Sequence, residues 1–497
     1  MLSNNRPKVL VVAGLDSGGG AGITADTITV HDNGGYALAC TTALTAQSLK
    51  KVASVVPTDD VIFKESLDLV VQDWNELPKS VKVGLVSAQS TLDILLNFLK
   101  TKLKGVPVVW DPVLTATAGH LKSADLKANL DKILALTTIF TPNIPEALEL
   151  ASWSEQDLKD KGVKELASFF LKKGLKSILI KGGHGFNENR SSDYFSDGET
   201  EFFMESYRKP GDGAHGGGCA LSSALAALIA QDYALHDAAV IAKSYVFNGI
   251  LNPAIEDNEF RPPIGHNGFT YNIKFMPRIN EPKFPTSDMP FAPCPFKMGL
   301  YPVVDDIKWI ERLLVIGVKT IQLRIKDKRE DLYEQIERAV QLGKRYNARV
   351  FIDDHYELAI KAGAYGVHLG MEDLKTADIE KIRTSGLRLG VSTHGMYELL
   401  KAVALKPSYI ALGHIFPTKT KVMPSKPQGV SRLAFMVKLL DGIIPTVAIG
   451  GIKYDMLTEV LNTNVGSVAV VTAITNAEDP LVETQKWLVS CSNGGSL

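Results

Sequence analysis

The sequence predicts an α/β protein in two parts, a parallel-sheet unit followed by a compact (β/α)8 barrel. Three observations carry that prediction. Apolar strand-like runs alternate with helical patterns along the chain, as parallel strands joined by covering helices do. The stretch FMPRINEPKFPTSDMPFAPCPF breaks the alternation with prolines and no apolar period, which suits a partly extended linker. Beyond it stand eight further strand-like runs, the count of a (β/α)8 barrel. The expected division is therefore 1–269, a linker at 270–297, and a barrel over 298–497.

Composition bounds the function. Of 497 residues, 45% are hydrophobic and 22% charged, which excludes extended disorder and fibrous structure. Lys and Arg number 54 against 55 Asp and Glu. Such a balance provides no global field for nucleic acid or an anionic membrane, so any anionic ligand must be gripped locally. No apolar run approaches the roughly 18 residues of a membrane span. The opening stretch, with Arg6 and Lys8 before a short apolar run and then Asp16 and glycines, reads as a first strand rather than a signal peptide. Cys40, Cys219, Cys294 and Cys491 form no CxxC pair. They suit neither a zinc site nor a disulfide framework, and a reducing cytoplasm is expected.

In the first part, strand-like runs are KVLVVAG (8–14), SVKVGLV (80–86), VPVVWD (106–111), TIFTPN (138–143) and SILIKGG (177–183). Two glycine-rich turns interrupt them. AGLDSGGGAGITAD (13–26) follows a strand and opens a helix. Its glycines let backbone approach a ligand at a helix N-terminus. Gly20, Gly22 and Ala25 match a G-x-G-x-x-A pattern, but no acid near position 45 is placed to hold a ribose, and no G-K-[ST] closes the loop. In the second turn, Gly216, Gly217 and Gly218 precede a clear helix with Cys219 in its first turn. Backbone amides there form an anion hole suited to phosphoryl transfer. The same dipole is expected to lower the cysteine pKa.

In the second part the runs are GLYPVVD, TIQLRIK, RVFIDD, YGVHLG, LRLGVS, YIALG, TVAIGG and SVAVVT. Their ends supply Asp305, Arg324, Lys326, Asp353, Asp354, Gly370, Ser392, Gly451 and Thr472, and barrel active sites lie at these C-terminal ends. In QLRIK, Gln322, Arg324 and Lys326 share one side of a strand, and an arginine and a lysine converging there suit a pyrophosphate. Asp354 and Asp373 sit on neighbouring strand ends and suit one Mg2+. FPTKTK places Thr418, Thr420 and Lys421 in the loop after the sixth strand. Loops after strands seven and eight, here Gly450–Gly451 and Thr472, often hold a phosphate.

The first part resembles the hydroxymethylpyrimidine kinase/hydroxymethylpyrimidine phosphate kinase family, within the ribokinase-like group. The motifs AGLDSGGGAGITAD, TALTAQS (42–48), TPNIPEA (141–147), IKGGH (180–184) and HGGGCALSSALAA (215–227) carry it in the family's order. The resemblance implies pyrimidine contacts at Gly14, Asp26 and Gln47. It implies that Asn143 and Glu146 organise Mg2+ and the phosphates of ATP, and that Lys181 contacts phosphate. Gly216 to Gly218 match the anion hole, and Cys219 sits where other ribokinase-like enzymes carry a base aspartate. The family usually reads Asn-Thr-His-Gly-Thr-Gly-Cys where Gly213, Ala214, His215, Gly216, Gly217, Gly218 and Cys219 stand here.

The second part resembles the thiamin-phosphate synthase family over about residues 298–485, through QLRIKD, FIDD, YGVHLGMED, LGVSTH, ALGHIFPTKTK, VAIGGI and SVAVVTAI. The resemblance implies that Gln322, Arg324, Lys326, Asp353, Ser392 and Lys421 bind hydroxymethylpyrimidine diphosphate, with Arg324 and Lys326 stabilising the leaving pyrophosphate. It implies Mg2+ at Asp354 and Asp373, and thiazole phosphate at Thr418, Thr420, Gly451, Val471 and Thr472. Asp353 stands where the family usually has Asn, Met371 where it has Gln, and Thr472 where it has Ser.

Together the resemblances imply a bifunctional thiamin-biosynthesis enzyme. An ATP-dependent kinase half would make the pyrimidine diphosphate, and a barrel half would couple it to thiazole phosphate. The expected partners are small molecules, with no nucleic acid and no membrane, and a homodimer through the kinase half is compatible with the resemblance. The alternative is a pyridoxal-type vitamin kinase whose barrel is a non-catalytic module binding thiamin phosphate.

Overall fold

The computed structural model describes residues 5–48, 51–74, 76–114, 124–182, 189–209, 214–255, 262–327, 330–418 and 425–493. The chain forms two compact units, 1–281 and 282–497.

The first unit is a ten-stranded sheet. Its strands are β1 (Lys8–Asp16), β2 (Tyr36–Gln47), β3 (Val52–Pro57), β4 (Ser80–Val83), β5 (Val108–Trp110), β6 (Ile139–Phe140), β7 (Ser177–Ile180), β8 (Arg190–Ser196), β9 (Glu201–Tyr207) and β10 (Arg278–Asn280). They lie in the order β10-β9-β8-β7-β6-β5-β4-β1-β2-β3. From β7 to β2 all pairings are parallel, and both edges are antiparallel. The parallel strands are the apolar runs read from the sequence. Their centres are fully buried, as at Val11, Val81, Val109 and Ile178, because helices cover both faces. The helices are α1 (Gly22–Asp32), α2 (Asp60–Gln72), α3 (Gln89–Thr101), α4 (Leu130–Leu136), α5 (Ile144–Ala151), α6 (Glu155–Lys172), α7 (Gly217–Ile229) and α8 (Leu235–Leu251). The chain leaves β1 for β2 on one side and returns to β4 on the other. That reversal opens a crevice at the C-terminal strand ends, the usual ligand position in open α/β sheets.

The second unit is a closed eight-stranded barrel. Its strands are β11 (Gly299–Val304), β12 (Thr320–Leu323), β13 (Arg349–Asp353), β14 (Gly366–Leu369), β15 (Arg388–Thr393), β16 (Tyr409–Leu412), β17 (Thr446–Ile449) and β18 (Ser467–Val470). Each pairs in parallel with the next, and β18 closes on β11. These are the eight runs counted in the sequence. Tyr301, Val303, Phe351, Tyr409, Ala411, Val447 and Ala469 pack together with Cys294 and Met298.

The proline-rich stretch at 270–297, expected to be a partly extended linker, makes contacts near both ends, which belong to different units. Arg278–Asn280 adds β10 to the edge of the sheet, with Ile279 opposite Met204. Downstream, Phe291 N–H donates to Lys406 O (3.1 Å), Ser408 Oγ to Ala292 O (2.6 Å) and Arg388 Nε to Pro293 O (3.0 Å). Phe291 and Cys294 are buried. Proline removes amide donors and erases any period, but it leaves carbonyls that a barrel can bond and side chains that it can bury.

Candidate active sites

At the crevice of the first unit, two glycine turns lie back to back. Asp16, the last residue of β1, organises the first: its Oδ1 accepts from Gly18 N–H (2.8 Å) and its Oδ2 from Ala21 N–H (2.9 Å). His215 Nε2 lies 3.2 Å from the same Oδ2, which ties in the second turn. Gly216 has φ +82°, and a Cβ there would stand 1.9 Å from Gly20 O, so only glycine fits. Gly14 lies between Leu85 and Ala43 O, where a Cβ would be 3.0 and 3.6 Å away. Gln47, ending β2, is fastened by Ser17: Gln47 N–H donates to Ser17 Oγ (2.8 Å), which donates to Gln47 O (2.7 Å). Gly14 is thus buried within β1, whereas Gln47 stands at the end of β2.

α7 begins at Gly217 after Gly216, with no side chain capping its first amides. Such amides carry the partial positive charge of a helix N-terminus. Lys181, just past β7, faces this end. A Cβ on Gly218 would lie 3.2 Å from Lys181 Nζ and 3.8 Å from Asp111 Oδ2. Lys181 Nζ pairs with Asp111 Oδ1 (2.6 Å) and lies 3.9 Å from Glu146 Oε2. Burial pulls Lys181 down, but Asp111 and Glu146 hold its pKa above the ordinary value. Asn143 and Glu146 cap α5 reciprocally: Asn143 Oδ1 accepts from Glu146 N–H and Glu146 Oε2 from Asn143 N–H, each at 2.8 Å. Burial pushes Glu146 up to about 7 against the pull of Lys181. Asn143, Glu146, Lys181 and the glycines at 216–218 are thus one constellation.

Two expectations are corrected here. Asp26 offers no free oxygen at the crevice. It is fully buried, one oxygen pairing with Lys82 Nζ (2.6 Å) and the other accepting from Ser223 Oγ (2.8 Å), because α1 turns it into the sheet. Cys219 is not activated by the helix start. Burial, with the charges of Asp26 and Asp111, outweighs the nearby Lys82 and a hydrogen bond from the Gly22 amide, and the thiol is pushed up to about 11. Iodoacetamide at pH 7.5 should therefore modify Cys219 far more slowly than a cysteine in the urea-unfolded chain, with acceleration towards pH 10. Peptide mass spectrometry of timed samples checks this, and rapid labelling at neutral pH would refute it.

In the barrel, the donors expected to meet pyrophosphate converge on one carboxylate. Asp353 is 5% exposed. Gln322 Nε2 donates to its Oδ1 (2.6 Å), while Arg324 Nε and Lys326 Nζ lie 3.3 and 3.2 Å from its Oδ2. Burial, then the charge of Asp354, raises the Asp353 pKa. Lys326 also pairs with Asp354. Asp373, in the short helix Met371–Leu374, accepts from Gly370 N–H (3.1 Å). Its carboxyl is raised by burial and then by Asp354, with which it shares a hydrogen bond. Asp354, close enough to raise the proton affinity of Asp373 and already drawing an ammonium, makes with it an oxygen donor set that fits Mg2+. Met371, in place of the family's usual Gln, is buried.

Around the rim, Ser392 Oγ lies 2.8 Å from His368 Nε2. Gly451 has φ +70°, and a Cβ there would stand 2.5 Å from Pro417 O. Phe416 N–H donates to Gly450 O (3.0 Å), so the loop reaching Thr418 rests on the Gly450–Gly451 pair. Val471 and Thr472 lead into the helix Thr472–Thr475 beyond β18. Thr420 and Lys421 lie outside the described residues.

Several participants escaped the sequence reading. Asp111 follows β5 as the D of WDPV, and the strand-end position was its only signal. Asp16 hid inside a glycine turn. Tyr301, Tyr409 and His368 sit in runs that read as core.

A phosphomethylpyrimidine kinase family model matches residues 16–262, and a thiamine monophosphate synthase model matches residues 300–474. Thiamine-phosphate synthase of Citrobacter koseri is 60% identical over 205 residues, 41% of this chain and 97% of that relative. Among solved structures, phosphomethylpyrimidine kinase from Clostridium difficile is 33% identical, covering 48% of this chain and 98% of that one (TM-score 0.42). Pyridoxal kinase from Staphylococcus aureus, solved with pyridoxal, is 25% identical, covering 56% and 98% (TM-score 0.48).

Proposed function

Since the chain belongs to the thiamine-phosphate synthase family through its second half and carries a phosphomethylpyrimidine kinase domain in its first, we propose that it is a bifunctional enzyme making thiamin phosphate. The kinase half phosphorylates hydroxymethylpyrimidine and then its phosphate, using ATP. The barrel couples the resulting diphosphate to thiazole phosphate and releases pyrophosphate. Both halves match catalytic families, so the alternative of a pyridoxal-type kinase with a non-catalytic barrel is not favoured.

One observation carries this reading. In each unit, cationic groups meet paired carboxylates at the C-terminal ends of parallel strands: Lys181 with Asp111 and Glu146, and Arg324 and Lys326 with Asp353 and Asp354. Phosphoryl transfer asks for placement and charge stabilisation rather than covalent help. The open amides of α7 and Lys181 supply these for the transferred phosphoryl group, while Gly14 and Gln47 orient the pyrimidine. With its thiol held protonated, Cys219 lines the helix start rather than acting as a base. In the barrel, Gln322, Arg324 and Lys326 hold the diphosphate, and the two cations offset charge that grows on leaving pyrophosphate. Thr418, Gly451, Val471 and Thr472 position the thiazole phosphate. Asp354 and Asp373 would hold Mg2+, as would Asn143 and Glu146 with the nucleotide, the metal supplying charge neutralisation of phosphate oxygens.

Glu146 makes the kinase half pH-dependent. Its carboxyl is largely protonated below about 7 and ionised above, and only the ionised form attracts a cation. KM for MgATP should fall as pH rises from about 6 to 8, and Glu146→Gln should flatten that profile. A wild-type profile already flat in initial-rate assays would contradict it.

A reducing cytoplasm agrees with four free cysteines, and no helix among the described residues is long and apolar enough to cross a membrane. A second copy of the chain is the partner proposed for the kinase half, where Leu44, Val56, Val61, Ile62 and Leu69 are each more than half exposed. Sedimentation velocity tests that. The decisive assay supplies purified protein with hydroxymethylpyrimidine, MgATP and thiazole phosphate, and follows pyrimidine diphosphate and thiamin phosphate by chromatography. Thiamin phosphate is the expected product. Diphosphate accumulating alone would refute the synthase half, and absence of both would refute the kinase half.

A further inference from the structure

Four side chains cross the barrel interior in one hydrogen-bonded line. Tyr301 OH lies 2.8 Å from Tyr409 OH, Tyr409 OH lies 2.8 Å from His368 Nδ1, and His368 Nε2 lies 2.8 Å from Ser392 Oγ. Tyr301, Tyr409 and His368 are buried, while Ser392 is only half-buried at the strand end. The fold makes room for the line. A Cβ on Gly390 would fall 2.2 to 2.4 Å from the Tyr409 ring, so β15 gives up a side chain where Tyr409 lies. The Tyr409 and His368 rings stack with centroids 5.6 Å apart.

The hydrogens along this line admit two orders. In one, His368 carries its proton on Nδ1 and donates to Tyr409, which donates to Tyr301. Ser392 then donates inward to Nε2 and shows only lone pairs outward. That order leaves the Tyr301 hydroxyl hydrogen buried without an acceptor, because Tyr409 is its only hydrogen-bond partner among the described residues. An orphaned buried donor costs its full desolvation. In the other order Tyr301 donates to Tyr409, Tyr409 to Nδ1, and Nε2–H to Ser392 Oγ. Every buried hydrogen then has an acceptor, and the hydroxyl hydrogen of Ser392 points out of the line. A second proton on the ring would leave Nε2 a donor all the same, so the order at Ser392 does not depend on the charge of His368.

We propose that Tyr301, Tyr409 and His368 are positioning residues that hold Ser392 as a hydrogen-bond donor, so that it binds an acceptor atom of the pyrimidine diphosphate and rejects a donor there. Ring nitrogens and phosphate oxygens share that acceptor chemistry. The choice of substrate rests on the synthase reading above, whereas the order of hydrogens along the line does not.

Two measurements on the full-length protein test this. The first is 15N NMR of histidine-labelled protein without substrate, the His368 signals being assigned by their loss in His368→Gln. Protonated Nε2 with bare Nδ1 is expected. Protonated Nδ1 with bare Nε2 would overturn the proposal, and this readout stands even if the barrel proves not to be a synthase. The second is kinetic. Tyr301→Phe removes only the donor that sets the direction. It should raise KM for the pyrimidine diphosphate roughly 3- to 10-fold, about the worth of one net hydrogen bond, without moving KM for thiazole phosphate. Combined with Ser392→Ala it should add nothing to the effect of Ser392→Ala alone. His368→Gln, whose amide accepts from Tyr409 and donates to Ser392, should retain more affinity than His368→Ala. Additive losses, or equal losses in both KM values, would show a structural role only. Inhibition by inorganic pyrophosphate separates the two acceptors: weaker inhibition of Ser392→Ala places the acceptor on phosphate, unchanged inhibition places it on the ring, and both support the proposal.

Discussion

Replacing Lys181 with methionine is expected to lower kcat for pyrimidine phosphorylation by about 10^2 to 10^3, with KM for the pyrimidine changing only a few-fold. Lys181 is the ammonium set against the side-chain-free start of α7, close to where Gly218 would carry a Cβ. Charge developing on a transferred phosphoryl group is stabilised there by preorganised donors, and deleting one such donor typically costs about 3 kcal/mol of transition-state stabilisation. The same change strips the buried Asp111 of its partner at 2.6 Å and leaves Glu146 without its nearest cation. Breaking a buried pair by removing one member costs roughly 3–5 kcal/mol, so the single variant should also melt lower. The double variant Lys181→Met, Asp111→Asn separates the two effects. Removing the orphaned carboxylate should recover much of the melting temperature and none of the turnover. A double variant that regained activity would show that Lys181 acts through the fold and not on phosphate.

In the barrel, Arg324→Ala and Asp353→Asn should move KM for the pyrimidine diphosphate in opposite directions. Asp353 already holds the donors proposed for the diphosphate: Gln322 on one oxygen, Arg324 and Lys326 on the other. An incoming polyanion must draw the two cations away from a buried carboxylate and sit near its charge. Loss of Arg324 removes a planar, charge-assisted contact and should raise KM about 10- to 100-fold, or roughly 1.4–2.7 kcal/mol. Asparagine at 353 keeps a carbonyl oxygen for Gln322 but releases both cations, and KM should fall several-fold. Steady-state kinetics with the diphosphate varied at saturating thiazole phosphate reads both. A collapse of turnover in Asp353→Asn would mean that the carboxylate has its own part in the reaction, and an unchanged KM in Arg324→Ala would remove Arg324 from the diphosphate site.

The parts of the fold that were legible share one property: their pattern is set by local burial. Each barrel strand is covered on both sides, so it reads as a short apolar run ending in polar residues. The parallel strands β1 and β4 to β7 read the same way. The antiparallel edges did not. β8 is RSSDYFS and pairs on both sides, yet its residues alternate too weakly to announce it, and the β2–β3 hairpin keeps several apolar residues exposed. The segment around Phe291 and Cys294 read as linker because proline hides burial that only a neighbouring barrel provides.

Site residues divide along the same line. Glycines at 216–218, Asn143 with Glu146, Lys181, and Arg324 with Lys326 stand in motifs whose spacing reflects a turn, a helix cap or a strand end, and local geometry is written in adjacent residues. What a side chain meets across the fold is not. Asp26 looked like a ligand contact until Lys82 and Ser223, far away in sequence, took both its oxygens. Cys219 looked activated until burial and the carboxylates of Asp26 and Asp111, distant in sequence, raised its thiol. Asp111 gained a role only when parallel pairing brought the end of β5 within 2.6 Å of Lys181. The sequence by itself determined the two folds and the class of chemistry, because periodicity, turns and caps are short-range. The tertiary structure alone decided which charges pair, which protons are held and which hydroxyls join in one line, because those depend on desolvation and on contacts between distant strands.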